Sequence, residues 1–372
     1  MKKYGVTIII SVIILAVSVI TGREFLEHRK PEKIVSGPGV TELKLLSDWY
    51  PELKGSRGDT EVYILRGRDN GASMLVLGGT HANEPSGYMS AILLIENARV
   101  VTGTLYVIPR SNNSGFSHND PQEGAPSSFA IKKPGGSERK FRYGSRATNP
   151  LDQWPDPDMY IHAASGQRLS GNETRNLNRG YPGRTNGTFT ERVCYGITQL
   201  IVKEKITVTI DLHEASPEYP VINAIVAHER AMPLASNVVL GLEMIDISIG
   251  LEPSPKNLRG LTHRELGDAT DTFAILMETA NPSQGRLRGR TDVNQVLTGK
   301  DTYYVKAQKL GRLYVPFDET GHPLEQRVGR HLACISEFIF SLGMEYPEYE
   351  MVIEGIPDYY ELQEKGIGAY LL

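Results

Sequence analysis

The sequence predicts an α/β domain held behind a separate N-terminal apolar segment, on three observations. Short apolar runs alternate along the chain with stretches of helical period. Three of the four strand-like runs lead directly onto an imidazole, a carboxylate, or a glycine pair followed by both. Residues 4–22 form a run without a charge between Lys2-Lys3 and Arg23.

The apolar run comes first. Its 19 residues, dominated by Ile and Val, span about 28 Å as a helix, close to the roughly 30 Å of a hydrocarbon core. A charged pair followed by an unbroken apolar block is not amphipathic, so residues 1–30 read as a signal peptide or an uncleaved membrane anchor rather than a core helix. No clear small-x-small cleavage site appears near Thr21, which favours the anchor. Basic residues flank both ends (Lys2 and Lys3; Arg23, Arg29 and Lys30), so the positive-inside rule sets no orientation. The chain carries −4 overall and its first thirty residues +3, leaving a mildly acidic body at −7. Residues 31–55, with Pro31, Pro38 and Pro51, read as a tether, and 56–372 as the main domain.

Within that domain Met74–Leu77 is a strand-like run ended by Gly78-Gly79, and Leu105–Ile108 is another, ended by Pro109. Val193, Ile197, Leu200 and Ile201 repeat at helical spacing, giving a helix over Thr190–Lys203. Thr207–Leu212 stops at His213, and Phe273–Met277 at Glu278. Val328, Leu332, Ile335 and Ile339 mark a last helix that Gly343 should end. The polar stretch from Ser111 to Thr174 is too long for a simple connection and is expected, with residues 280–300, to shape a pocket.

Composition removes several function classes. Of the 372 residues 40% are hydrophobic and 23% charged, which excludes a disordered or fibrous chain. The near-neutral balance argues against a nucleic-acid partner. Cys194 and Cys334 form no CxxC, so a cysteine zinc site is excluded, while one bridge between them stays open. Neither a GxSxG elbow nor a GxxxxGK[ST] loop occurs.

In open α/β sheets ligands bind beyond the carboxyl ends of strands, so residues there can converge. His81 and Glu84 follow the glycine pair three residues apart, and His213 ends another strand. Two His and one Glu form a known catalytic zinc set with a fourth position left open. Asp211, two residues before His213, is placed to accept a spare imidazole N–H. A carboxylate must still move the proton of an activated water, and Glu278 is at a strand end to do so. His162, His228 and His263 have no motif around them and read as core or surface histidines. Arg264, Glu265 and Asp268 read as loop charges, and Arg286, Arg288 and Arg290 as a solvated basic turn.

These residues carry a resemblance. Gly78-Gly79-Thr80-His81-Ala82-Asn83-Glu84 resembles the GGTHxNE motif of the succinylglutamate desuccinylase/aspartoacylase branch of the zinc carboxypeptidase superfamily. Leu177-Asn178-Arg179-Gly180-Tyr181-Pro182-Gly183 is similar to that superfamily's LNRxFPG segment, and Asp211-Leu212-His213-Glu214 to its third-ligand motif. The order of the motifs is also the same, and they cover residues 78 to about 280. The resemblance implies a carboxypeptidase-like α/β/α sandwich around a mixed, mostly parallel sheet, with one Zn2+ held by His81, Glu84 and His213. It implies that Asn178 and Arg179 hold a substrate carboxylate and that Glu278 is general base and acid. A further arginine polarises the scissile carbonyl in the family, and Arg175 and Arg168 are the upstream candidates here. Two departures stand out: Asn176 replaces the usual Asp before Leu-Asn-Arg, and Glu214, at a variable position, should point away from the metal by strand alternation.

The expectation is a zinc-dependent hydrolase that uses zinc-activated water to cleave an amide bond next to a free carboxylate. Its substrate would be a C-terminal peptide residue or an N-acyl amino acid. The GGTHxNE form favours deacylation; the N-terminal segment favours an extracytoplasmic, anchored or secreted enzyme acting on a peptide, with membrane contact through that segment if uncleaved. The alternative is a non-catalytic carboxylate-binding protein on the same fold.

Overall fold

The structure is a computed structural model that describes residues 2–120 and 124–372. The chain begins with α1 (Lys2–His28), then runs through β1 (Glu42–Leu45), β2 (Glu61–Arg66), β3 (Asp69–Leu77), α2 (Pro85–Asn97) and β4 (Arg99–Ile108). Two small ribbons follow, β5 (Ser128–Lys132) with β6 (Glu138–Arg142) and β7 (Met159–Ile161) with β8 (Arg168–Ser170). The second half contains α3 (Phe189–Glu204), β9 (Val208–Ala215), β10 (Ala224–Ala227), α4 (Met232–Glu243), β11 (Gly250–Pro253), α5 (Thr262–Ala269) and β12 (Phe273–Ala280). It closes with α6 (Val293–Thr298), α7 (Thr302–Lys309), α8 (Leu324–Glu345), β13 (Val352–Glu354) and α9 (Tyr359–Lys365).

Nine strands form one mixed sheet in the order β1-β2-β4-β3-β9-β12-β10-β11, with β13 beside the first part of β4. Its centre, β4-β3-β9-β12, is parallel throughout. At one edge β1 and β2 run antiparallel, and at the other β10 reverses against β12. Central parallel strands are covered on both faces, and alternate residues feed two cores. Met74, Val76, Ile210, Leu212 and Met277 pack with α2, α4 and α8. Leu75, Leu77, Tyr106 and Ile108 pack on the other face with α3. This is the α/β/α sandwich around a mixed, centrally parallel sheet that the motifs imply.

The strands are longer than their apolar runs. β9 and β12 continue past His213 and Glu278 to Ala215 and Ala280, so both side chains lie inside the ladder rather than just beyond it. α3 lies within two residues of its predicted span and opens with a capping box between Thr188 and Glu191. α8 runs through Gly343 to Glu345. Cys194 and Cys334 are buried in different cores, on opposite faces of the sheet, and are unbridged.

Residues 31–55 are not a tether. β1 extends the sheet edge, and Leu46, Trp49, Tyr50 and Leu53 belong to the α3-side core. Farther back, the buried Glu32 carboxylate pairs with Arg110 and Arg142. The prolines there shape an irregular path over a packed surface, so low regularity did not mean low burial. Ahead of this segment, α1 carries exposed apolar side chains along its length, Ile8, Ile13 and Val17 among them. Among the described residues it is the one helix long and apolar enough to cross a membrane.

Leu46 is fully buried, so Leu46→Ala should cost about 2–5 kcal/mol of unfolding free energy. A loss below about 0.5 kcal/mol in denaturant titration would return this stretch to the status of a tether.

Candidate metal centre

The centre is built on two strand ends and one helix start. After β3 the chain turns through Gly79, whose φ of +63° lies in the left-handed region. A Cβ there would come within 2.8 Å of the Phe116 ring and 2.9 Å of the Pro109 carbonyl. The turn delivers His81, and Glu84 follows immediately before α2. His213 comes from β9. In the β9–β12 register Glu278 lies directly beside it, so the two side chains share one face.

His81 Nδ1 lies 2.7 Å from Glu84 Oε1, and His213 Nδ1 lies 2.9 Å from Glu84 Oε2. The two rings stand edge to face, 4.7 Å apart. One nitrogen from each ring and a Glu84 oxygen all lie within 4.8 Å of one another, close enough to serve one cation at ligand distances of about 2 Å. All three residues are buried.

The far nitrogens are fixed too. His213 Nε2 meets Asp211 Oδ2 at 2.9 Å, and the hydroxyls of Thr80 and Thr262 donate to the same carboxylate. Asp211 is thus the acceptor expected for the spare N–H. His81 Nε2 meets Asn176 Oδ1 at 2.9 Å. The Asn178 backbone N–H also donates to that atom, and Asn176 Nδ2 donates to Glu173, so the amide oxygen must face His81. Both imidazoles therefore carry their proton on Nε2 when neutral and turn the Nδ1 lone pair toward Glu84. A carboxylate and two such lone pairs at one point fit a divalent cation, and zinc by donor type.

Burial and these contacts set the electrostatics of the group. Burial would raise the Glu84 carboxyl, but the two imidazoles hold it well below the ordinary carboxylate range. Burial works against a charged His213, yet Asp211 and Glu84 raise it well above an ordinary histidine. Burial lowers His81. Burial also pushes the Glu278 carboxyl up to about 8; His213 opposes the rise and Glu84 adds to it. Glu278 Oε2 is buried without a partner among the described residues.

Beside the centre opens a cavity of about 790 Å³ whose lining includes His81, His213, Glu278, Asn178, Arg179 and Arg146. Asn178 Oδ1 accepts from the backbone N–H of Thr262, whose hydroxyl is committed to Asp211, which leaves the amide N–H2 to the cavity. Arg179 is anchored through its Nη1 to the Asn178 carbonyl, with Glu173 3.6 Å from its Nε. Burial and the neighbouring Arg146 depress its guanidinium.

Arg175 does not join them. Its fork is closed on Asp156 at 2.6 and 2.8 Å and on the Thr148 carbonyl, away from the cavity lining. Arg168 is exposed on β8. The second arginine of the cavity is Arg146, exposed and without a hydrogen-bond partner among the described residues. Among the described residues of the polar stretch 111–174, Arg146 alone joins the lining; most of the wall comes from residues 213–226 and 252–263.

His263 is also in that wall. Its Nδ1 is 2.7 Å from Ser254 Oγ, and burial pushes it down to about 3, so it is neutral. His162 and His228 serve local contacts, with the Tyr181 carbonyl and with Asp268. Arg264 and Asp268 pair within α5 rather than in a loop. Arg286 and Arg288 line a second, smaller cavity of about 230 Å³. Glu214 points away from the metal position, toward α8, as alternation requires.

No family model and no curated protein matches the sequence. Among solved structures, the chain is similar to the cell shape determinant protein Csd4 of Helicobacter pylori, at 13% identity and a TM-score of 0.45, over 82% of this chain and 58% of that one. It is similar to a succinylglutamate desuccinylase from Silicibacter sp. TM1040, at 14% identity and a TM-score of 0.38, over 61% and 55% of the two chains. It is also similar to the ectoine utilization protein EutE from Ruegeria pomeroyi, at 16% and 0.35, over 61% and 55%. The match spans little more than half the length of each of these structures.

Because Asp211 orients His213, Asp211→Ala should weaken zinc binding about 10- to 100-fold with the fold retained. Competition against a chromophoric chelator reads this directly, and an unchanged affinity would remove Asp211 from the centre.

Proposed function

We propose that the protein is a zinc-dependent hydrolase cleaving an amide bond next to a free carboxylate. The convergence of His81, Glu84 and His213 beside Glu278, on the face that carries two arginines, is the observation that carries this reading. His81 Nδ1, His213 Nδ1 and the Glu84 carboxylate would hold the zinc, which when bound supplies Lewis acidity and an acidified water.

The chain's own groups do the rest. Glu278, on the same face as His213 and with a carboxyl raised by burial, is suited to take a proton near neutral pH and hand it to the leaving amine. The uncommitted amide N–H2 of Asn178 and the Arg179 guanidinium hold the substrate carboxylate. Arg146, exposed at the cavity and without a hydrogen-bond partner among the described residues, is the residue for the scissile carbonyl in place of Arg175. A C-terminal peptide residue and an N-acyl amino acid both present the required amide and carboxylate. The exposed apolar α1 supports an anchored or exported enzyme with membrane contact through that helix.

Glu278→Gln should lower turnover about 100- to 10,000-fold while zinc still binds. The assay is a panel of C-terminal peptides and N-acyl amino acids given to the zinc-loaded protein. Turnover that survives the substitution would contradict the role of Glu278. An absence of turnover in the parent, with the panel bound, would favour the carboxylate-binding alternative.

A further inference from the structure

His213 and Glu214 are consecutive on β9, so their side chains leave opposite faces of the sheet. His213 turns to Glu84 and the cavity. Glu214 enters the layer of α2 and α8, where its carboxylate and the guanidinium of Arg327 are both fully buried and paired at 2.5 Å.

The contacts of this pair are unusually placed. Arg327 Nη1 meets Glu214 Oε1, Nη2 the Val296 carbonyl and Nε the His322 carbonyl, which ties in α6 and the approach to α8. Glu214 Oε2 accepts the Ser86 backbone N–H at 3.2 Å and Asn281 Nδ2 at 3.1 Å. Ser86 is in the first turn of α2, two residues after Glu84, and Asn281 follows β12, three residues after Glu278. The Glu214 backbone N–H itself donates to Glu84 Oε2 at 3.1 Å. One residue thus touches the helix start that holds Glu84, the strand that holds His213 and the segment just after the strand that holds Glu278.

We propose that Glu214 and Arg327 are a positioning pair. They set the spacing between Glu84 and the strand ends of His213 and Glu278, and through it the metal affinity of the centre; the inference rests on the zinc reading above. A buried ion pair is weak evidence for stability, because apolar replacements are often neutral or better. What this pair supplies is arrangement, and it brings the C-terminal region, which carries none of the recognised motifs, into the support of the site.

The test uses the full chain in detergent and measures zinc affinity by chelator competition alongside the melting temperature. Arg327→Met and Glu214→Gln should each lower both. The double variant E214Q/R327M strands no buried charge, so its melting temperature should recover toward the parent while zinc affinity stays about tenfold or more weaker. Parent-like zinc affinity in the folded double variant would reduce the pair to a structural role and overturn the proposal. Should the double variant fail to fold, Arg327→Lys keeps the charge without the fork. It should fold and bind zinc several-fold more weakly, and parent affinity there overturns the proposal equally. A parent chain that binds no zinc defeats this proposal and the hydrolase reading together, whereas unchanged affinity in the variants defeats this one alone.

Discussion

Glu84 is a carboxylate taken out of water and set between two imidazoles, and the rest of the site is arranged around that expense. An isolated buried carboxylate is costly. This one is met at one oxygen by His81 and Gln284 and at the other by His213 and the Glu214 main chain. Each imidazole is in turn held from behind, by Asn176 and by Asp211. The result is a closed set of donors whose directions are fixed before any cation arrives, which is what preorganised binding requires.

The sheet explains why this set can exist. Parallel β3, β9 and β12 end at one edge, so side chains far apart in sequence reach a common point there. Alternation then divides the labour. His213 and Glu278 share the cavity face, and Glu214, one residue on, is sent to the opposite layer. Asn178 acts in two places: its main-chain N–H orients the Asn176 amide for His81, and its side-chain oxygen is bound at the start of α5. The group of His81, Glu84 and His213 and the cavity wall at Asn178 are thus one hydrogen-bonded body.

Much of this was legible in the sequence because the signal was local. Gly78-Gly79 announces the turn before His81, and the apolar runs that lead onto His213 and Glu278 announce the strands that carry them. What escaped was decided by long-range packing. Arg146 is brought to the cavity by the fold of the polar stretch, which no period or motif marks, while Arg175, better placed by motif spacing, is consumed by Asp156. Residues 31–55 look like coil because prolines interrupt them, yet Leu46 and Trp49 complete a core whose other half is α3. The ends of β9 and β12 were set too early because polar side chains at a sheet's functional edge break the apolar run without breaking the ladder. Asn176 reads as a departure from the motif; its neighbours show that an amide held in one orientation still presents an oxygen to His81.

The central claim is that two Nδ1 lone pairs and one carboxylate, joined across the sheet edge, bind a single divalent cation. Elemental analysis of the purified chain after dialysis against zinc tests it most directly, with His213→Ala measured in parallel. The account predicts one zinc per chain in the parent and none retained by the variant. A parent without stoichiometric metal, or a variant that keeps its full complement, would contradict it.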